Sequence, residues 1–186
     1  IAPYNAGSRI PRVDEGVREG DHVKIGKTVD LEVIETPGHT PIHISLFGHN
    51  DEPHLLCGDT VFNAGVGHCH TGDPNVLYAT FRDKIAKMPD GTRIYPGHDY
   101  ISNNLQFTLD REPDNADAKA LLADVEGQDP DAALVTTLGT ERKVNTFMRL
   151  DSAGVVAGIK AKFPDLPDTP SDEDIFLSLR LLRNDW

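Results

Sequence analysis

Apolar and polar residues alternate with a period of two over the first third of the chain, and the period then changes to that of a helix. Residues 21–34, "DHVKIGKTVDLEVI", form two short alternating runs around Gly26 and Lys27, and residues 42–47 and 54–57 add two more. This pattern predicts a succession of strands. Asp73 and Pro74 have the chemistry of an N-cap and first turn, opening a helix through "PNVLYATFRDKIAKM" with Leu77, Phe81 and Ile85 on one face. "TRIYPG" predicts a last short strand ending at Pro96 and Gly97, after which the strands give out. "YISNNLQFTLDR" and "NADAKALLADVEG" have helical spacing, with Gly127 as a C-cap. A proline and aspartate linker, "FPDLPDTPSD", leads to Ser171 and Asp174, spaced as the N-cap and third residue of a final helix carrying Ile175, Leu179 and Leu182. With no internal repeat, the chain divides near residues 98–100 into a mixed α/β part, 1–98, and a mainly helical part, 99–186.

Composition narrows the class of protein. At 186 residues, 38% hydrophobic and 26% charged, the chain can bury a sizeable core, and no apolar run approaches the roughly 20 residues of a membrane helix. A formal net charge of −12 argues against nucleic acid or an anionic membrane as the main partner, because both reward clustered cations. Cys57 lies in an apolar run and Cys69 between two histidines, which is no disulfide framework and points to a reducing, cytoplasmic setting. The opening "IAPYNAGSRIPRV" has neither an initiator Met nor the features of a signal peptide, and reads as a cut.

Three donors stand where strands end. His39 follows "LEVIETPG", Asp59 closes "HLLCGD", and His98 closes "RIYPGH". Side chains at neighbouring strand ends converge on one edge of a sheet, and a His, Asp, His set offers the donors that zinc, iron or manganese accept. Taken singly, each has an ordinary role open to it: a hydrogen-bonded turn histidine, a capping acid, a histidine at a helix start. Taken together, "PGHT", "GDT" and "PGHD" favour the metal reading, since small neighbours leave room for an ion and its water.

These motifs resemble a known family. "TPGHT", "CGDTVF" and "YPGHDYISNNLQF", in that order, are similar to the later metal-binding motifs of the metallo-β-lactamase fold hydrolases. "REPDN" at 111–115 and "NTFMR" at 145–149 resemble the helical C-terminal domain of the glyoxalase II branch, the hydroxyacylglutathione hydrolases. The resemblance implies an α/β fold: the later part of an αββα sandwich over residues 1–98, then a helical domain over 99–186. It implies two divalent metal ions, zinc foremost with iron or manganese as alternatives. Asp59 would bridge them as the catalytic carboxylate, with His39 on one and His98 on the other. The implied reaction is hydrolysis of S-lactoylglutathione by a metal-bound hydroxide, in a cytoplasmic monomer whose partner is a small glutathione thioester, with no nucleic acid and no membrane.

Departures from the family pattern set further expectations. The family's first metal motif, H-x-H-x-D-H, does not occur, and the nearest run, "HCHTGD" at 68–73, is out of register. The chain is therefore expected to begin inside the first domain, to hold metal weakly, to be inactive by itself and to fold and dissolve poorly. His68 and His70 stand where the family has a lysine and a tyrosine for glutathione. Spaced i and i+2, they point the same way in an extended segment and could bind the peptide's carboxylate or an extra metal, or simply fill a loop, with substrate contact the expectation. The resemblance implies substrate contact also for Tyr100, otherwise an ordinary helix-start aromatic, and for the pair Arg180 and Arg183 on the last helix. Solvated charge is the ordinary alternative for the two arginines. Rival readings are a mononuclear-iron glutathione persulfide dioxygenase, a lactonase, and a non-catalytic remnant of the fold.

Overall fold

A computed structural model of the chain describes residues 1–129 and 133–186. A two-residue parallel ladder, β1 (Ala2–Pro3) and β2 (Gly16–Val17), precedes the main sheet. Gly26, at φ 64°, then turns β3 (His22–Ile25) back onto β4 (Val29–Glu35), the two runs expected around that glycine. β5 (Ile44–Gly48) and β6 (His54–Gly58) continue the antiparallel meander. A small hairpin, β7 (Val61–Phe62) and β8 (Gly65–Val66), turns at Ala64.

Helix α1 (Pro74–Asp83) follows, capped by the Asp73 side chain, which accepts from the Asn75 N–H. It is shorter than the periodicity suggested, because the chain tightens into a 3-10 turn at Ile85–Lys87 that keeps Ile85 facing the core. This helix carries the chain across to β9 (Arg93–Pro96), which lies parallel to β6 as such a crossover requires. The sheet order is β3-β4-β5-β6-β9.

The second part comprises α2 (Ile101–Arg111), α3 (Ala116–Glu126), α4 (Leu138–Val144), α5 (Ala153–Lys162) and α6 (Asp172–Asn184). Asn115 caps α3, and Ser171 with Asp174 closes the expected capping box on α6. One strand-like interaction continues past β9, against the expectation that strands give out there. Ile94 N–H donates to the Thr136 carbonyl and Leu138 N–H to that of Thr92, each at 2.9 Å, and Arg93 bridges to Thr137. So brief a contact leaves no period-two pattern to read.

The two faces of the sheet differ. Register partners Phe47, Leu55 and Ile94 share one face and are buried in a core completed by Leu77 and Phe81 of α1, Phe107 of α2, Phe147, and Phe176 and Leu179 of α6. On the other face Val33, Leu46, Leu56 and Tyr95 are aligned, and Leu46 packs against a small cluster of Val17, Val23 and Val33. Leu56 and Tyr95 remain 40% and 39% exposed.

The residues of "REPDN" and "NTFMR" interlock the helices. Arg149 forks onto Glu112 with bonds of 2.7 and 2.8 Å, and Ser152 also donates to Glu112. Asn145 donates to the Gly65 carbonyl and to Glu141, binding the helical part to the β7–β8 hairpin.

Candidate metal centre

His39 is held by contacts between α1 and the loop after β4. Gly38, at φ 140°, lies so close to the Leu77 backbone that a Cβ would collide with it. Asp73 N–H donates to the Gly38 carbonyl at 3.0 Å and Thr80 Oγ1 to that of Pro37 at 2.6 Å. The His68 carbonyl can only accept, so at 2.6 Å it places the proton on His39 Nδ1 and leaves the Nε2 lone pair for a metal.

Asp59 leaves β6 at an irregularity between Leu56 and Gly58, where Gly58 adopts φ 49°. Gly97 N–H donates to the Gly58 carbonyl at 2.9 Å, tying the end of β9 to the end of β6 and bringing His98 alongside. His39 Nε2 then stands 3.4 Å from Asp59 Oδ2, and His98 Nε2 stands 3.6 Å from the same oxygen. The three sequence-chosen donors meet at one corner of the sheet.

Their arrangement bears on metal binding. Two ligands bonded at ~2.1 Å to one tetrahedral ion are ~3.4 Å apart, and both His–Asp pairs have that separation. The two pairs share Asp59 Oδ2. No group of three or more His, Cys, Asp or Glu among the described residues encloses a metal position. The donor chemistry fits a divalent metal, with His39 in the ligand tautomer, but three side chains fall short of enclosing two ions.

The other candidates surround this corner unevenly. Tyr100 stacks on His98 with centroids 5.4 Å apart and abuts Phe62 edge-on. His68 and His70 turn the same way, their rings stacked at 3.4 Å, and His68 Nδ1 is buried without a hydrogen-bond partner among the described residues. Burial, with the nearby Arg180 charge, holds the His68 imidazolium below its ordinary range.

Arg180 is not solvated charge: it is 4% exposed and donates to the Val66 and Gly67 carbonyls at 3.1 and 3.0 Å, just ahead of His68. Burial lowers its pKa to about 10. Arg183 lies over Phe107 and Trp186 and donates to Asn104. Arg180 thus faces inward, against the chain leading into the site, whereas Arg183 packs on α2 and Trp186. Cys57 and Cys69 are free thiols.

His43 was missed in the sequence reading. It sits beside Asp59, with burial and the neighbouring His39 lowering its pKa to about 4, which keeps it neutral. A signal was present in the stretch "GHTPIHIS", where a second imidazole follows the first by four residues just ahead of a strand.

The architecture and this corner define a metallo-β-lactamase superfamily protein, and that superfamily's model matches residues 4–98. Solved structures agree on the fold. ETHE1 from Myxococcus xanthus superposes with a TM-score of 0.54 at 22% identity, over 93% of this chain and 61% of that one. A metallo-beta-lactamase from Staphylococcus aureus gives 0.51 at 21% identity, over 90% and 43%.

Within the superfamily, the chain belongs to the hydroxyacylglutathione hydrolase family, whose C-terminal model matches residues 99–186. It is 56% identical to a hydroxyacylglutathione hydrolase of Polaromonas sp. and 54% identical to one of Nitrosococcus oceani. Each match spans all of this chain and 71% of the relative. The family is one of divalent-metal proteins. No helix among the described residues is long and apolar enough to cross a membrane.

Proposed function

We propose that this chain contributes half of a two-metal thioesterase centre, with His39, Asp59 and His98 as its metal donors and a 2-hydroxyacylglutathione such as S-lactoylglutathione as the substrate. The observation that carries the reading is the shared Oδ2 of Asp59, flanked by two imidazole nitrogens at ligand-to-ligand separation. Zinc suits a carboxylate and two imidazoles. Metal ions bound there supply hydroxide at neutral pH and polarise the thioester carbonyl.

The chain's own residues do the rest. Asp59 offers one carboxylate between the two histidines, and the His68 carbonyl orients His39. Tyr100, stacked on His98, and the His68–His70 pair stand on either side of the donors, where polar groups of the glutathione peptide can be gripped. Arg180 and Arg183 act from behind, Arg180 by holding the carbonyls that lead into His68. For the product of the gene that carries this chain, a monomer in the cytoplasm is part of the same reading.

The test is metal content and thioester hydrolysis on the product of the gene that carries this chain, beside an Asp59→Ala variant. Bound zinc and S-lactoylglutathione turnover are expected, both falling more than about a hundredfold in the variant, since outer-shell partners alone are worth 10–100-fold. One iron with oxygen consumption on glutathione persulfide, or turnover that survives the variant, would overturn the proposal.

A further inference from the structure

We infer that His43 is the positioning residue for Asp59, an inference that rests on the reading of Asp59 as a metal donor. The Asp59 backbone N–H donates to His43 Nε2 at 3.3 Å. An N–H partner requires a lone pair on Nε2, so the ring proton lies on Nδ1. Nδ1 is 2.9 Å from both Thr60 Oγ1 and Thr36 Oγ1. Thr60 directs its own hydroxyl hydrogen to the Thr36 carbonyl at 3.2 Å, leaving its lone pairs for Nδ1–H. Thr36 in turn is bonded to Ser45 of β5 at 2.8 Å.

His43 therefore grips the chain on both sides of the carboxylate, at the Asp59 amide and at the next side chain. The Nε2–Cε1 edge of the ring also packs against Gly58, where a Cβ would come within 2.8 Å of Nε2. Gly58 is the residue that swings the chain out of β6 at φ 49°. A mobile backbone at Asp59 would let Oδ2 drift from both imidazoles at once. The His43 ring also meets the His39 ring edge-on, with centroids 6.0 Å apart, but its side-chain hydrogen bonds go to the Asp59 amide and the two threonines, so it acts through Asp59.

Two substitutions separate the two ends of the ring. In His43→Gln the longer amide keeps an acceptor near Nε2, while His43→Asn keeps a polar group near Nδ1 and abandons the Asp59 N–H. Hydrogen exchange of the Asp59 amide is followed by NMR on the product of the gene that carries this chain, with zinc affinity measured by competition with a chromophoric chelator. His43→Asn is expected to speed Asp59 exchange more than tenfold and weaken zinc about 10–100-fold, the range for outer-shell partners. His43→Gln is expected to restore both to within a few-fold of wild type. Asp59 exchange unchanged in His43→Asn, or equal losses in both variants, would overturn the assignment. Absence of zinc uptake by the wild-type gene product, with Asp59 exchange still governed by residue 43, would instead overturn the reading of Asp59 as a donor.

Discussion

Glu141 is wholly buried between the two parts of the chain, where its carboxyl meets Thr136 Oγ1 at 2.6 Å, Asn145 Nδ2 at 3.0 Å and the Ala64 N–H at 2.8 Å. Burial outweighs these bonds and raises its pKa from 4.5 to about 7. The native state therefore keeps this proton to a higher pH than the unfolded chain does. Its contribution to stability is full below about 4.5 and is lost as pH rises through 7, on the order of 3 kcal/mol in all. Chemical denaturation from pH 5 to 8 should show a falling midpoint that flattens in Glu141→Gln; parallel curves would refute it. Glu141 could not be singled out from the sequence, because its hairpin partner Ala64 is 77 positions away. His39, Asp59 and His98 could, because a donor between small residues at the end of an apolar run is visible locally. His43 carried the same local chemistry, but its role depends on where the Asp59 backbone lies in space.

Elements with capping chemistry of their own were legible. Asp73 and Ser171 marked the starts of α1 and α6, and each side chain makes the bond its position calls for. Ser171→Ala removes the hydroxyl that accepts from Asp174 N–H, at a cost of about 1 kcal/mol. For a chain of this size the melting midpoint should fall by about 3 °C in thermal circular dichroism, and an unchanged midpoint would deny the capping box its role. Helices α4 and α5 were not legible. α4 has seven residues and anchors itself through Leu138, Glu141 and Val144, and α5 mixes small residues around Val155 and Ile159 with little periodicity. Their positions follow from the core they complete, which local sequence does not encode.

At the scale of the whole molecule, the aromatic core ignores the change of character near residue 98, since sheet residues and Phe107, Phe147 and Phe176 fill a single cluster. On the opposite face of the sheet, apolar side chains reach solvent. Leu56 and Tyr95 stand open beside Leu46 on neighbouring strands, so the chain should self-associate as its concentration rises. Leu56→Lys should reduce that association in sedimentation velocity while changing stability by no more than about 0.5 kcal/mol. Equal association in the variant would place the contact elsewhere. The two borders of the sheet also differ in kind. Beyond β9 the backbone is already engaged by Thr136 and Leu138, whereas β3 ends the sheet on the other side with Ile25 60% exposed. Growth of the sheet by an added strand, from this chain or another, is thereby confined to the border farthest from His98. The corner holding the donors is insulated from whatever is joined at the far side, and that remote border is where this scaffold can accept new sequence without disturbing its chemistry.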